Sequence, residues 1–365
     1  TGASNTAVGN NALRSNTTSS NNTAVGYKAG YNNTTGALNT ALGDSSFLAN
    51  TTGGANVAVG RSALGSNTTA SHNTAVGYQS LLSNTTGASN TGLGNYALFS
   101  NTTASNNTAV GYQAGYTNST GASNVSVGYR SSYNNTTGGA NTALGYQSLY
   151  SNSTASNNTA VGYNTGYNIT TGHNNAMFGE DAMVNSTTAT YSTAIGSEAL
   201  RSNTTGGSNT AVGYQALRQN SASNNTAVGF RAGYANTTGD LNLFAGVSAG
   251  LANTTGARNT FIGAGAAPSN VDGSYNTIVG GRGSDNYNAF NSNTSGGNNT
   301  GFGAQVLARN TTGSENTAVG LGALYNNTTS SSNTAIGRGS GSSITTGSSN
   351  TIIGRYNGNS GGLDI

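Results

Sequence analysis

Apolar residues recur in short clusters separated by polar, glycine-rich stretches, and the clusters keep a fixed distance. The pentad Asn-Thr-Ala-Val-Gly, or a close variant, opens at Asn5 and is still present at Asn350, in twenty-one copies. Well-kept copies run Asn22 to Gly26, Asn73 to Gly77, Asn141 to Gly145 and Asn209 to Gly213. Eighteen of the twenty intervals are 17 residues long; Asn209 to Asn225 spans 16 and Asn276 to Asn299 spans 23. Seventeen residues are too few for a helical-hairpin repeat and suit one coil of a parallel β-solenoid, with two short strands and two corners. The pattern predicts an all-β fold: a single tandem array over residues 1–365, about 21 coils, with an enlarged loop at 281–298.

Within each coil the apolar positions are few. Val or an equivalent precedes the pentad Gly (Val8, Val25, Leu42), a small residue follows three after it (Ala12, Ala29, Ala63), and Leu often comes next (Leu13, Leu64, Leu149). Where Gly replaces that Leu, Tyr follows, as in Gly115-Tyr116 and Gly166-Tyr167. The exchange reads as one interior slot filled from either of two positions. Successive strand residues face opposite sides, so a Val turned inward sends the pentad Ala outward. That position is nonetheless apolar and sometimes large (Phe244, Phe261, Ile278, Ile352). Both faces ask for cover, which points to a second copy of the chain. The second half of the coil, typically Ser-Asn-Thr-Thr-Gly, is turn chemistry.

Composition narrows the functions. Charged residues are 6% of the chain, the net charge is +3, and there are 56 Gly, one Pro and no Cys. So little charge gives no electropositive surface for nucleic acid. Without Cys there are no disulfides or thiolate metal sites, and no cofactor motif is present. No apolar run reaches membrane-spanning length. Thr1 opens inside the pattern, which reads as a segment of a longer polypeptide.

The tandem Asn-Thr-Ala-Val-Gly-x-x-Ala/Ser-Leu units, such as Ala24-Val25-Gly26-Tyr27-Lys28-Ala29 and Ala211-Val212-Gly213-Tyr214-Gln215-Ala216, resemble the head repeats of trimeric autotransporter adhesins. Similar runs occur in bacterial and phage tail-fibre-like proteins. The resemblance covers essentially the whole chain and implies a left-handed parallel β-roll that forms a homotrimer. The repeat here is a few residues longer than the usual head repeat. No neck, coiled-coil stalk, anchor or chaperone domain is evident.

Seven residues after the pentad Gly stands a column of Asn. Fourteen of these lie in Asn-x-Ser/Thr sequences: Asn16, Asn33, Asn50, Asn67, Asn84, Asn101, Asn118, Asn135, Asn152, Asn203, Asn236, Asn253, Asn310 and Asn327. They are either a stacked amide ladder or glycan acceptors, N-linked or O-linked on the adjacent Thr. The pentad Asn reads as an internal ladder at a corner. Tyr27, Tyr78, Tyr112, Tyr129, Tyr146, Tyr163 and Tyr214, each just after a pentad Gly, are a packed column or a platform for sugar rings. The Thr file after the pentad Asn is a backbone ladder or an ice template. His72, His173 and the pair Glu180-Asp181 form no catalytic pattern. Gly280-Gly281-Arg282-Gly283 lacks the rest of a phosphate loop. The insertion, with Arg282, Asp285, Tyr287 and Phe290, is a bulge or a binding loop. The expected function is structural and non-enzymatic: an extracellular or cell-surface fibre or adhesin shaft. Its partners would be itself, as a trimer or end-to-end fibre, and host or environmental surfaces, glycans included. A glycosylated single-chain filament and an ice-binding solenoid are the alternatives.

Overall fold

The computed structural model describes residues 2–283 and 286–355; Thr1 and Asp285 lie outside them. The fold is an all-β parallel β-solenoid built on the 17-residue repeat, with no helix among the described residues. Two compact units, residues 1–188 and 189–365, divide the chain. The first carries eleven three-residue strands, β1 (Thr6–Val8) to β11 (Ala176–Phe178), and the second carries ten, β12 (Thr193–Ile195) to β21 (Thr351–Ile353). Within each unit the strands pair in parallel with pentad over pentad, so that Thr40, Ala41 and Leu42 sit opposite Val57, Ala58 and Val59. The 16-residue and 23-residue intervals do not break this register, since Ala211 still meets Ala227 and Ile278 meets Gly301.

One strand forms per coil, where two were expected. The second half still bonds coil to coil (Leu64 N–H to Ser80 O, 3.0 Å; Thr68 N–H to Thr85 O, 3.1 Å). Its backbone, however, repeatedly visits left-handed geometry, which regular strands do not. In the coil Asn56–His72, positive φ occurs at Gly60, Ser62, Leu64 and His72, at 126°, 56°, 49° and 62°. These inversions turn successive N–H groups in opposite axial directions: Ser62 donates back to Asp44 O and Leu64 donates forward to Ser80 O. A side chain branched at Cβ is strained at such φ. Among the described non-glycine residues with positive φ, none is Val, Ile or Thr, although Thr is abundant in the chain.

That same coil sends Asn56, Ala58, Ala63, Leu64, Asn67 and Ala70 inward, each at most 4% exposed. The strand therefore faces opposite to the expectation: the pentad Ala is the core residue, and the Val position lies outside. The interior is too narrow for both, because the +3 Ala and +4 Leu pack directly against the strand's middle residue. The pairing of sizes across this space explains the large residues at the pentad Ala position. A Cβ at Gly166 would lie 3.0 Å from Met177 Sδ and 3.1 Å from Leu149 Cδ2. Gly233 and Gly250 similarly leave room for the Phe244 ring, and Gly301 for Ile278 and Val306. Large side chains on the strand fill the space that Gly vacates at the slot, as close packing requires. The Tyr after such a Gly does not enter this slot; Tyr116 and Tyr167 stand at the surface, half-buried.

The pentad Gly has a separate reason. A Cβ on Gly60 would sit 2.5 Å from Gly77 O in the next coil, at a φ that L-residues rarely adopt. Irregular coils absorb their length changes in corners. The 16-residue coil shortens the Asn-Thr-Thr corner, where Asn220 Nδ2 donates to Ala222 O only two residues on. The insertion is confined to residues 281–288, and Ala289 and Phe290 resume the buried slots.

Candidate interaction faces

Two columns of Asn run through the interior. The pentad Asn typically accepts at Oδ1 from the backbone N–H of the next pentad Asn (Asn56 to Asn39, 2.9 Å), with Ser192 Oγ taking this part for Asn209. In most coils its own Nδ2 reaches the far end of the coil (Asn39 to Gly53 O, 2.9 Å). The second column is a side-chain chain of amides from Asn33 to Asn152, each Nδ2 donating to the preceding Oδ1 at 2.7–3.1 Å. In the second unit it runs from Asn220 to Asn327 at 2.6–2.8 Å. The other hydrogen of each Nδ2 goes to the carbonyl three residues on, as in Asn67 to Ala70 O at 3.0 Å.

This geometry bears on the glycan-acceptor expectation. Asn33, Asn50, Asn67, Asn84, Asn101, Asn118, Asn135, Asn152, Asn203, Asn236, Asn253, Asn310 and Asn327 are buried, and only Asn16 is half-exposed. A buried amide nitrogen with both hydrogens engaged leaves no room for a sugar, so those thirteen side chains are not acceptors in the folded coil. The ladder also includes Asn270 and Asn293, which the sequon pattern or the repeat count passes over. Ile169 replaces the Asn in one coil and packs beside Gly166.

Outside the coils, the Tyr of the first column stack on one another: Tyr112, Tyr129, Tyr146 and Tyr163, with centroids 5.1–5.6 Å apart. A parallel column runs Phe99, Tyr116, Tyr133, Tyr150 and Tyr167 at 4.9–5.2 Å. Because the ring faces are used in coil-to-coil stacking, edges and hydroxyls point to water. A sugar platform needs faces, and those of Tyr112, Tyr129, Tyr146 and Tyr163 are engaged in packing; Tyr27 meets Lys28, Tyr78 meets Tyr96 edge-on and Tyr214 stacks on Phe230. Between the columns lies the residue two after the pentad Gly, and three cations there contact both rings: Lys28, Arg130 and Arg231. Burial, then repulsion from the neighbouring phenols, raises the pKa of Tyr133 and Tyr167. Burial and the Tyr78 phenol do the same for Tyr96.

A comparison with family models and with curated proteins gave no match.

The third strand residue forms the remaining column. Val8, Leu42, Val76, Leu144, Phe178, Ile195, Val228, Phe302, Ile336 and Ile353 are exposed, from 37% to 65%, with half-buried Val, Ile, Leu93 and Ala245 between them. Every described coil thus presents an aliphatic or aromatic side chain, apart from Ala245, on the outer face of its strand. The Thr file beside it is interrupted by Val57, Val125, Ala176 and Leu243, and the bulky neighbours deny it a flat template.

Chemistry-bearing groups stay scattered. No cluster of three or more His, Asp or Glu occurs among the described residues. His72 is exposed at a left-handed corner, Glu180 is exposed, and Asp181 occupies a left-handed turn position. Arg282 donates to Asn286 in the inserted loop, and Arg309 lies against both Tyr287 and Tyr325. A compact ionic group forms at Glu198, which accepts from Arg218 Nε and Gln215 Nε2, both at 2.7 Å, with Arg201 at 3.6 Å. Burial opposes ionisation of Glu198, but the hydrogen bonds and the two guanidinium charges outweigh it and lower its pKa. No helix of the described residues is long and apolar enough to cross a membrane.

Proposed function

We propose that this chain is a rigid, non-catalytic segment of an extracellular or cell-surface fibre, a left-handed homotrimer whose copies meet along the outer faces of their strands. The apolar column carries the reading. Ten aliphatic side chains and Phe178, partly to well exposed along the first unit, amount to roughly 600–800 Å² of apolar surface, near the ~800 Å² per partner of a stable interface. Soluble monomers seldom leave so continuous a patch open. The resemblance to adhesin head repeats supplies the trimer and the handedness, and a hydroxyl- and amide-rich exterior suits spacing and attachment to environmental or host surfaces.

Sedimentation and unheated gel electrophoresis test it. A species three times the 36.1 kDa chain mass is expected. The double variant Leu42→Lys, Leu144→Lys should reduce it to a monomer with an unchanged β-rich circular dichroism spectrum. A wild-type chain that stays monomeric at micromolar concentrations would refute the reading.

A further inference from the structure

The two hydroxyls of each Asn-Thr-Thr corner have different fates. The first is structural: Thr34 Oγ1 donates to Thr51 O at 2.9 Å, Thr51 to Thr68 O at 3.1 Å, and so on up the column. Ser serves equally there, at Ser119 and Ser153. The second hydroxyl is exposed and makes no hydrogen bond within the chain. It is Thr at every seventeenth residue from Thr18 to Thr188, eleven in succession without one Ser, and exposed in each. In the second unit Thr205, Thr238, Thr255, Thr312 and Thr329 continue the pattern, while Asp272 and Ser295 hold the position in two coils.

The backbone of this position bonds to the next coil through its N–H, as Thr35 does to Thr51 O. That bond does not need a hydroxyl, and Val or Ile would meet the same β-branched preference. Exposure disfavours Val and Ile, so the position holds a β-branched residue whose hydroxyl is left free in water. We propose that the second threonine of each corner is the acceptor of an O-linked sugar. The threonine Oγ would attack the anomeric carbon of a nucleotide- or lipid-phosphate-activated sugar in the presence of a transferase. The Oγ–C1 bond forms, the C1–O bond to phosphate breaks, and the hydroxyl proton leaves through the transferase's base. The neighbouring Asn cannot compete, being buried, and the first hydroxyl is engaged.

The charge balance supports the assignment. With 12 basic and 9 acidic side chains in 365 residues, little electrostatic repulsion keeps such particles apart. A file of sugars at ~4.8 Å spacing would supply that separation. The inference rests on the exported-fibre reading above, and its test is independent of assembly state. Protein purified from its source is weighed intact and fragmented by electron transfer. The expected mass exceeds that of the bare polypeptide by multiples of a sugar residue, with the added mass on Thr35, Thr52 or Thr69. Alkaline β-elimination should release the sugar, whereas an enzyme that cleaves Asn-linked glycans should release none. The bare polypeptide mass, or sugar found on the Asn or on the first Thr, overturns the proposal. A sugar-free trimer sinks only this assignment; a sugar-bearing monomer sinks only the trimer.

Discussion

The amide ladder makes a sharp demand on single atoms. Asn84 Nδ2 donates to Asn67 Oδ1 at 3.1 Å and to Gly87 O at 2.9 Å, and Asn84 Oδ1 accepts from Asn101 at 2.9 Å. Asn84→Asp keeps the shape and the acceptor but removes both donated bonds. Two buried acceptors then face a carboxylate oxygen. Asn67 Oδ1 is orphaned at a cost of about 1–3 kcal/mol, Gly87 O keeps its bond from Asn73 Nδ2 at 2.9 Å, and the buried charge faces no cation, so a local loss of about 4 kcal/mol is expected near neutrality. Burial among acceptors raises the carboxyl pKa in the folded state above its unfolded value. The added protonated-state stability is therefore fully present below the ordinary Asp pKa and is lost as pH rises through the elevated one. Asn84→Ala leaves Asn67 Oδ1 and one Asn101 Nδ2 hydrogen unsatisfied, while Gly87 O keeps Asn73 Nδ2 at 2.9 Å, and has no such pH dependence. A solenoid opens locally, and one melting temperature does not define its stability. The assay is hydrogen exchange of the amides in residues 73–106, measured from pH 4 to pH 8 and corrected for intrinsic rates. Protection within 0.5 kcal/mol of wild type in both variants, or an Asp variant insensitive to pH, would refute the ladder as a source of stability.

Gly60→Ala should cost several kcal/mol, because its Cβ meets Gly77 O, whereas Gly322→Ala, at φ 67° with open space around it, should cost only about 1 kcal/mol; exchange of the flanking coils distinguishes them. Leu149 is buried at φ 49°, so the isomer Leu149→Ile should cost about 2 kcal/mol more than Leu149→Met, read in the same way. Stability should be nearly flat from pH 5 to pH 9, with two His and few carboxylates to titrate. Below that window a small contribution from Glu198, present above the unfolded carboxyl pKa, is lost as pH falls through its lowered folded value. Above it, Tyr133 and Tyr167 contribute stability that is present below pH ~10 and lost as pH rises through their raised values. Phenolate absorbance should accordingly show a late-titrating fraction, and uniform titration of all tyrosines at the ordinary pKa would count against the stacked columns.

The period alone fixes the coil, because pentads 17 residues apart can bond in register only if each stretch closes once around the axis. What the period does not fix is which side of the strand faces in. A three-residue strand gives alternation a single step to act on, and here both sides are apolar, Ala41 beside Leu42. The direction was nevertheless encoded elsewhere. The chain places Phe244 and Phe261 on the strand near Gly233 and Gly250, a volume exchange that makes sense only if the middle strand residue shares the interior with the +4 slot. The absence of Val, Ile and Thr from the left-handed positions among the described residues, in a chain full of Thr, marks the corners just as clearly. The glycan column misled for a related reason. A sequon records adjacency in sequence, whereas acceptor chemistry depends on which of three neighbouring polar side chains reaches water. In Asn50-Thr51-Thr52 the first is locked in the ladder, the second is bonded to the next coil, and only the third is exposed. Outward chemistry in this fold is therefore a property of single columns. A substitution in one coil tests its whole column, because the same slot recurs in the coils above and below with the same exposure and partners.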